Sequence, residues 1–196
     1  MSSFKDWFGR TFHGKKLAFL GLKDSGKSQF LKSMGCRDAM PGTRSNRERY
    51  RWFKVVLPGK SIYVKAGCDY GGGKDIFTHI FNSALQNSDF VYFVVDIQKF
   101  IQGGVDSESQ SPYKDQVLER LEYINGHVPS IYIEKFSILL THADLMAGFD
   151  ENRLVDEFQR VTREKPYSVL TRHCFPVDAR DPRQVLSVFK RSIGGL

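Results

Sequence analysis

The stretch from Leu17 to Ser28 limits what this chain can fold into more than any other. Four apolar residues, Leu17-Ala18-Phe19-Leu20, run directly into Gly21-Leu22-Lys23-Asp24-Ser25-Gly26-Lys27-Ser28. The octapeptide meets G-x-x-x-x-G-K-[ST] at every fixed position. Phe30, Leu31 and Met34 then recur at helical spacing, which predicts a helix over 27–34. The motif therefore lies between a short buried strand and a helix, the context in which it binds phosphate. Its glycines let backbone N–H groups turn inward around phosphate oxygens, and the helix N-terminus adds a favourable dipole. Lys27 supplies a point charge to β- and γ-phosphates, and Ser28 offers a hydroxyl to Mg²⁺. The candidate nucleotide-binding residues here are Gly21, Lys23, Asp24, Ser25, Gly26, Lys27, Ser28 and Gln29. The plain alternative is a glycine turn with a chance lysine, and the flanking strand and helix argue against it. The loop alone does not choose between ATP and GTP, or between switch, kinase and motor.

Downstream, apolar runs alternate with helical stretches. Trp52 to Leu57 and Ser61 to Lys65 predict two strands around a Pro58-Gly59 turn. A helix over 76–88 carries Ile76, Phe77, Ile80, Phe81 and Leu85 on one face. Phe90 to Val95 is a continuous apolar run of the kind found in central parallel strands. Residues 98–112 are rich in Gly, Ser and Gln and read as a loop, followed by a helix with Val117, Leu118, Leu121 and Ile124. Phe136 to Leu140 predicts another buried strand and 150–164 a helix; Val169 to Val177 contains a last strand, and 183–192 is a last helix. This alternation implies an α/β fold: a mostly parallel central sheet in a three-layer sandwich, with ligands at the carboxyl ends of the strands. At 196 residues a single domain is the default. No apolar run approaches the ~18 residues of a membrane span. The three cysteines, Cys36, Cys68 and Cys174, are far apart and odd in number, which reads as reduced thiols in a cytoplasmic protein. The net charge of +7 is spread along the chain apart from Arg44, Arg47, Arg49 and Arg51, a distribution that argues against a nucleic-acid-binding face.

Three further elements lie after predicted strands. Asp69-Tyr70-Gly71-Gly72-Gly73 fits D-x-x-G. In that pattern Asp69 holds a Mg²⁺-bound water and the Gly72 amide meets the γ-phosphate, so hydrolysis releases the segment. The bland alternative is a glycine-rich turn. Thr141-His142-Ala143-Asp144 occupies the place of [NT]-K-x-D. The Asp144 carboxylate can accept both guanine N1–H and the N2 amine, a pairing that adenine cannot reproduce. His142 stands where lysine is usual and offers an imidazole to stack on the base; the alternative is an aspartate that caps a helix. Asp178-Ala179-Arg180 sits where an S-A-K-type loop would close over guanine O6 through the Ala179 amide, with Asp178 and Arg180 as departures. Thr43, 15 positions after Ser28, stands near the spacing of a threonine that coordinates Mg²⁺.

On the phosphate loop, the Asp69–Gly72 element with its paired glycines and Phe93-Val94-Val95-Asp96, the chain resembles the Ras superfamily of small GTPases. Within it the likeness is to the Arf/Sar and signal-recognition-particle-receptor β-subunit branch. The resemblance covers residues 15–193. It implies a P-loop NTPase domain over 14–196, bound GTP or GDP with Mg²⁺, two nucleotide-sensitive loops, and protein effectors with an activating protein. It also implies slow GTP hydrolysis, because Gly73 stands where the water-orienting Gln is usual. A partner, Lys74 or His79 are the alternatives for the missing group. Gly73 also suits a scaffold that holds GTP without hydrolysing it. A small P-loop kinase is disfavoured by the Asp69 and Asp144 elements.

Ahead of this domain, residues 1–13 carry Phe4, Trp7, Phe8 and Phe12 at i, i+3, i+4 and i+8, one apolar stripe on a short amphipathic helix. Transient membrane docking, a partner, or packing on the protein's own surface would each bury it. Ser2 excludes N-myristoylation, and Ser192-Ile193-Gly194-Gly195-Leu196 excludes a prenylation box. The expected location is cytoplasmic, peripheral to a membrane if the stripe docks there.

Overall fold

The computed structural model describes residues 14–37, 47–70, 77–106, 109–127, 130–148 and 150–193. In chain order the elements are β1 (Leu17–Gly21), α1 (Lys27–Ser33), β2 (Arg47–Tyr50), β3 (Phe53–Leu57), β4 (Lys60–Val64), β5 (Gly67–Tyr70), α2 (Phe77–Asn87), β6 (Phe90–Asp96), α3 (Ile97–Gln102), α4 (Tyr113–His127), β7 (Phe136–Thr141), α5 (Glu151–Thr162), β8 (Cys174–Pro176) and α6 (Pro182–Ser192). Short 3-10 turns lie at Ser130–Lys135, Ala143–Leu145 and Ser168–Thr171. The apolar stripe at 1–13 lies outside the described residues.

Among the described residues a six-stranded sheet runs in the order β2-β5-β1-β6-β7-β8. β5, β1, β6, β7 and β8 are parallel, and β2 adds an antiparallel edge. Successive side chains of a strand point to opposite faces, and this alternation builds the layers. Ala18, Leu20, Val91, Phe93 and Val95 face a cluster with Leu85 of α2, Phe100 of α3, Val117 of α4 and Phe158 of α5. Leu17, Phe19, Tyr92 and Val94 face the other way, onto Phe30 and Leu31 of α1 and Val185 and Phe189 of α6. On that second face Phe19 and Tyr92 stack at 5.1 Å, with Phe30 tilted against Phe19 at 5.9 Å. The predicted three-layer α/β sandwich with a mostly parallel central sheet is therefore the observed fold. No helix among the described residues is long and apolar enough to cross a membrane.

The two strands expected around Pro58-Gly59 are present as β3 and β4, and they pair with each other in a separate two-stranded sheet. Arg47↔Tyr70, Tyr50↔Gly67, Phe53↔Val64 and Leu57↔Lys60 keep one continuous register, so β2–β3 and β4–β5 are the two arms of one long hairpin. It is interrupted at Arg51-Trp52 and turns at Pro58-Gly59, where the Pro58 ring fixes its own φ at the first central position and Gly59 takes φ +80° at the second. Phe53, Val55 and Leu57 alternate inward and join the α1–α6 side of the core. Residues 98–112 are not all loop, because α3 occupies 97–102. Asp96 caps it by accepting from the Lys99 amide at 3.0 Å, Ile97 and Phe100 bury one side, and Gly103 ends it at φ +82°. Six residues are too few for helical periodicity to show in the sequence.

β1 lies between β5 and β6, so the chain leaves it on one side toward β5 and on the other toward β6. Such a reversal of strand order opens a crevice outside the carboxyl ends of the strands. The carboxyl end of β1 is Gly21, the first residue of the glycine-rich loop.

Candidate functional site

The loop from Gly21 to Lys27 has a conformation that few other residues could adopt. Gly21 has φ +146°, Asp24 +57° and Gly26 +91°. A Cβ on Gly21 would run into the carbonyl oxygen of Val94 in β6, and one on Gly26 would press on the Thr141 side chain at 3.3 Å. These close backbone approaches leave no room for a side chain at either glycine. Lys27 opens α1 and is buried, with Nζ donating to the carbonyl oxygens of Leu22 (2.7 Å) and Gly21 (3.3 Å) and to Ser25 Oγ (3.3 Å). Its charge is thereby held inside the loop. Lys23 is half-buried, Asp24 exposed and Ser25 buried; Ser28 and Gln29 are half-buried on α1. The Gln29 amide reaches along α1 to Ser33 Oγ at 3.3 Å. The Ser33 hydroxyl in turn donates to the Ala179 carbonyl at 2.7 Å, which ties α1 to the 178–180 loop.

Thr141, the last residue of β7, is fully buried. Its hydroxyl lies 2.6 Å from the Ser25 carbonyl oxygen and 3.0 Å from that of Val95. The first residue of the Thr141–Asp144 element is thus engaged with the phosphate loop and the end of β6. Its hydroxyl therefore straps the loop to the end of the sheet.

His142 has φ +58°, a left-handed bend that starts the Ala143–Leu145 turn. Its Nδ1 lies 3.2 Å from Asp96 Oδ2. The Asp96 contact raises the pKa of the imidazole against the opposing effect of burial. Burial opposes ionisation of Asp96, but the His142 contact and the Lys99 amide outweigh it and hold the carboxyl below its ordinary range. The Asp96 amide donates to the Tyr113 hydroxyl at 2.9 Å, and Lys99 Nζ stands 3.8 Å from Oδ2. Asp96 therefore braces the base of the His142 loop, a role that sequence reasoning did not assign. A carboxylate that ends an apolar run, three residues before a lysine, was the available signal.

Asp144 sits in the turn after His142, and Arg180 Nη2 forms an ion pair with its Oδ2. Asp178 Oδ1 accepts the Arg180 backbone amide at 2.8 Å and lies 3.5 Å from Arg180 Nε. The Asp178 amide donates to Gln184 Oε1 at 3.0 Å, which anchors this loop on α6. Asp144 and Asp178 together raise the pKa of the guanidinium, which stays charged. Thus Gly21–Gln29, Thr141–Asp144 and Asp178–Arg180 converge at one end of the sheet.

Asp69 was expected to follow a strand; it lies within β5, paired with Phe19 of β1 and Glu48 of β2. The short run Gly67-Cys68-Asp69-Tyr70 has no apolar period to mark it as a strand. Thr43, Gly72, Gly73 and Lys74 lie outside the described residues. The backbone of His79 is in α2. Among the described residues no group of three or more His, Cys, Asp and Glu side chains is placed to hold a metal ion. A Mg²⁺ ion of the expected kind needs no such cluster, because phosphate oxygens and waters supply most of its ligands.

No protein-family model matches this chain, and no curated protein sequence matches it. The crystal structure of translation elongation factor SelB from Methanococcus maripaludis, in complex with the GTP analogue GppNHp, superposes with a TM-score of 0.58 at 14% identity. The match covers 93% of this chain and 34% of SelB, so the chain spans about a third of that protein's length. The likeness establishes the P-loop GTPase fold.

Proposed function

We propose that this chain is a guanine-nucleotide-binding molecular switch with slow or partner-dependent GTP hydrolysis. The observation that carries the reading is the Thr141 strap. It joins the phosphate loop to the element bearing Asp144, at 2.6 Å from Ser25, so a phosphate cradle and a base-reading carboxylate belong to one braced unit. The fold neighbour bound to a GTP analogue supports the same nucleotide class. The positive-φ glycines fit the phosphates, and Lys27 fits their charge.

In this reading Asp144 accepts from the guanine N1–H and N2 amine, and the Ala179 amide meets O6. Ser28, Thr43 and Asp69 would hold Mg²⁺, the last through a water. When bound, the ion neutralises charge on the β- and γ-phosphates. Lys27 adds a fixed positive charge on the same oxygens. The Gly72 amide senses the γ-phosphate, and Gly73 has no side chain to orient the attacking water. Positioning dominates phosphoryl transfer, so the isolated protein turns over no faster than about 10⁻³ per second. The paired glycines and Phe93-Val94-Val95-Asp96 support a place near the Arf/Sar and signal-recognition-particle-receptor β-subunit branch. The stripe at 1–13 would then dock on a partner or, transiently, on a membrane from the cytoplasmic side.

Gly73 also favours a second reading, a scaffold whose GTP is structural. Single-turnover hydrolysis of bound GTP, with and without cell extract, separates the two. Acceleration by extract, or by Gly73→Gln, supports the switch. No acceleration by either supports the scaffold, and rapid hydrolysis by the unmodified protein contradicts both.

A further inference from the structure

Asp144 does not wait as a bare carboxylate. Its Oδ2 is taken by the guanidinium of Arg180. A guanidinium offers N–H donors side by side in one plane. The N1–H and C2–NH2 edge of guanine is the same N–C–N fragment in a ring. Arg180 thus presents to Asp144 the donor chemistry that the guanine reading assigns to the ligand.

The placement is built rather than incidental. Asp178 holds the Arg180 backbone amide at 2.8 Å and flanks Nε at 3.5 Å. The loop that carries Arg180 is fixed at its base by Ser33 to Ala179 (2.7 Å) and by Asp178 to Gln184 (3.0 Å). The backbone beneath Arg180 is therefore anchored, while its head remains at the surface, 63% exposed, and is free to be displaced. Arg180 and Asp144 stand 36 residues apart in sequence, and their pair joins the two loops.

We propose that Arg180 is a specificity-determining residue of the base pocket, occupying Asp144 as a guanine mimic and narrowing the discrimination between guanine and adenine. The proposal rests on the guanine-binding reading given above. A base that engages Asp144 must first displace Arg180, so guanine affinity is reduced by the strength of the ion pair. A base that cannot engage Asp144 leaves the pair intact. Adenine then avoids the penalty of burying an unpaired carboxylate, the penalty by which such a site ordinarily rejects it. Both effects bring the two affinities together. Removing the guanidinium separates them: GDP binds more tightly, and ADP faces an uncovered Asp144.

The test is equilibrium binding of GDP and ADP to the full chain and to Arg180→Ala, Arg180→Lys and Asp144→Ala. An exposed ion pair of this type sets the scale of the change. Arg180→Ala should tighten GDP about two- to fivefold and raise the GDP-over-ADP ratio by at least that factor. Arg180→Lys keeps the charge without the planar fork and should fall between. The gap between the unmodified chain and Arg180→Ala should shrink as salt is raised from roughly 0.05 to 0.5 M, because screening weakens exposed pairs. Unchanged or weaker GDP binding by Arg180→Ala, or an unchanged ratio, overturns the proposal; weaker binding would make Arg180 a contact of the bound base. Asp144→Ala separates this failure from that of the underlying reading. If it weakens GDP binding while Arg180→Ala does not tighten it, the mimic alone is wrong. If it leaves GDP binding unchanged, the base pocket itself is wrong and the mimic falls with it.

Discussion

Replacing Thr141 by valine isolates the strap between the base loop and the phosphate loop. Valine keeps the branched shape that packs against Gly26, so little cavity or overlap is created. What is lost is one hydroxyl. That hydroxyl has a single proton, shared between the Ser25 carbonyl at 2.6 Å and the Val95 carbonyl at 3.0 Å, so one hydrogen bond disappears rather than two. Thr141 is fully buried, and a buried carbonyl deprived of its donor costs about 1–3 kcal/mol. For a chain of this length, each kcal/mol lowers the melting temperature by about 2–4 °C, so thermal unfolding of Thr141→Val should shift down by roughly 2–12 °C. Ser25 lies inside the loop, so GDP affinity should fall as well. Thr141→Ser retains the hydroxyl and should recover most of both losses. Differential scanning calorimetry alongside a GDP titration reads both quantities. A Thr141→Val protein as stable as the parent, with the same GDP affinity, would refute the strap.

Two other perturbations follow from the same geometry. Gly21→Ala places a Cβ against the Val94 carbonyl in a backbone conformation at φ +146°. It should lower unfolding free energy by roughly 1–3 kcal/mol for the conformation, with a further overlap cost of about 1–3 kcal/mol; an unmoved urea midpoint would contradict the loop geometry. His142→Asn, which tolerates the left-handed bend, should cost most at mildly acid pH. The pKa of His142 is raised in the fold, so its stabilising share is complete below the ordinary value of 6.5 and is lost as pH rises through the raised one. Asp96 is lowered, so its share is present above 3.8 and is lost as pH falls through its folded value. Lys99 and Asp144 are the other charged groups acting on His142. Urea midpoints of parent and variant should differ most between about pH 4 and 6.5 and converge on the alkaline side; a pH-independent difference would show that the His142–Asp96 contact carries no charge.

The glycine-rich loop was legible because its backbone needs are local: Gly21 and Gly26 take positive φ at fixed spacing within a strand–loop–helix unit. The neighbours that a Cβ there would meet, Val94 of β6 and the Thr141 side chain of β7, come from distant strands and were not legible. The continuous apolar runs of β1 and β6 revealed the central sheet because each strand is buried on both faces. The hairpin was only partly legible. β3 and β4 carry β-branched and aromatic residues around a Pro-Gly turn, but β2 is the charged run Arg47-Glu48-Arg49-Tyr50, an edge strand without an apolar signal. The last strand lies inside the stretch 169–177 as expected, but its bounds were not legible, since 168–171 is a 3-10 turn and 174–176 pairs with β7. Least legible were contacts between loops distant in sequence. The Arg180–Asp144 pair and the Thr141 strap depend on strand ends aligned by sheet register, where Asp96 stands beside Thr141 and Leu140 beside Pro176. No spacing rule in the chain encodes that.

Recognition of guanine by Asp144 is the central claim, and nucleotide preference tests it most directly. Displacement of labelled GDP by ADP and by xanthosine diphosphate should be measured on the unmodified chain and on Asp144→Asn. A carboxylate accepts from both N1–H and the N2 amine, whereas a carboxamide pairs one acceptor with one donor and matches the N1–H and C2 carbonyl of xanthine. The unmodified chain should prefer GDP to both competitors, and Asp144→Asn should prefer the xanthine nucleotide. Equal displacement by ADP, or an Asp144→Asn protein with unchanged preference, would contradict the account.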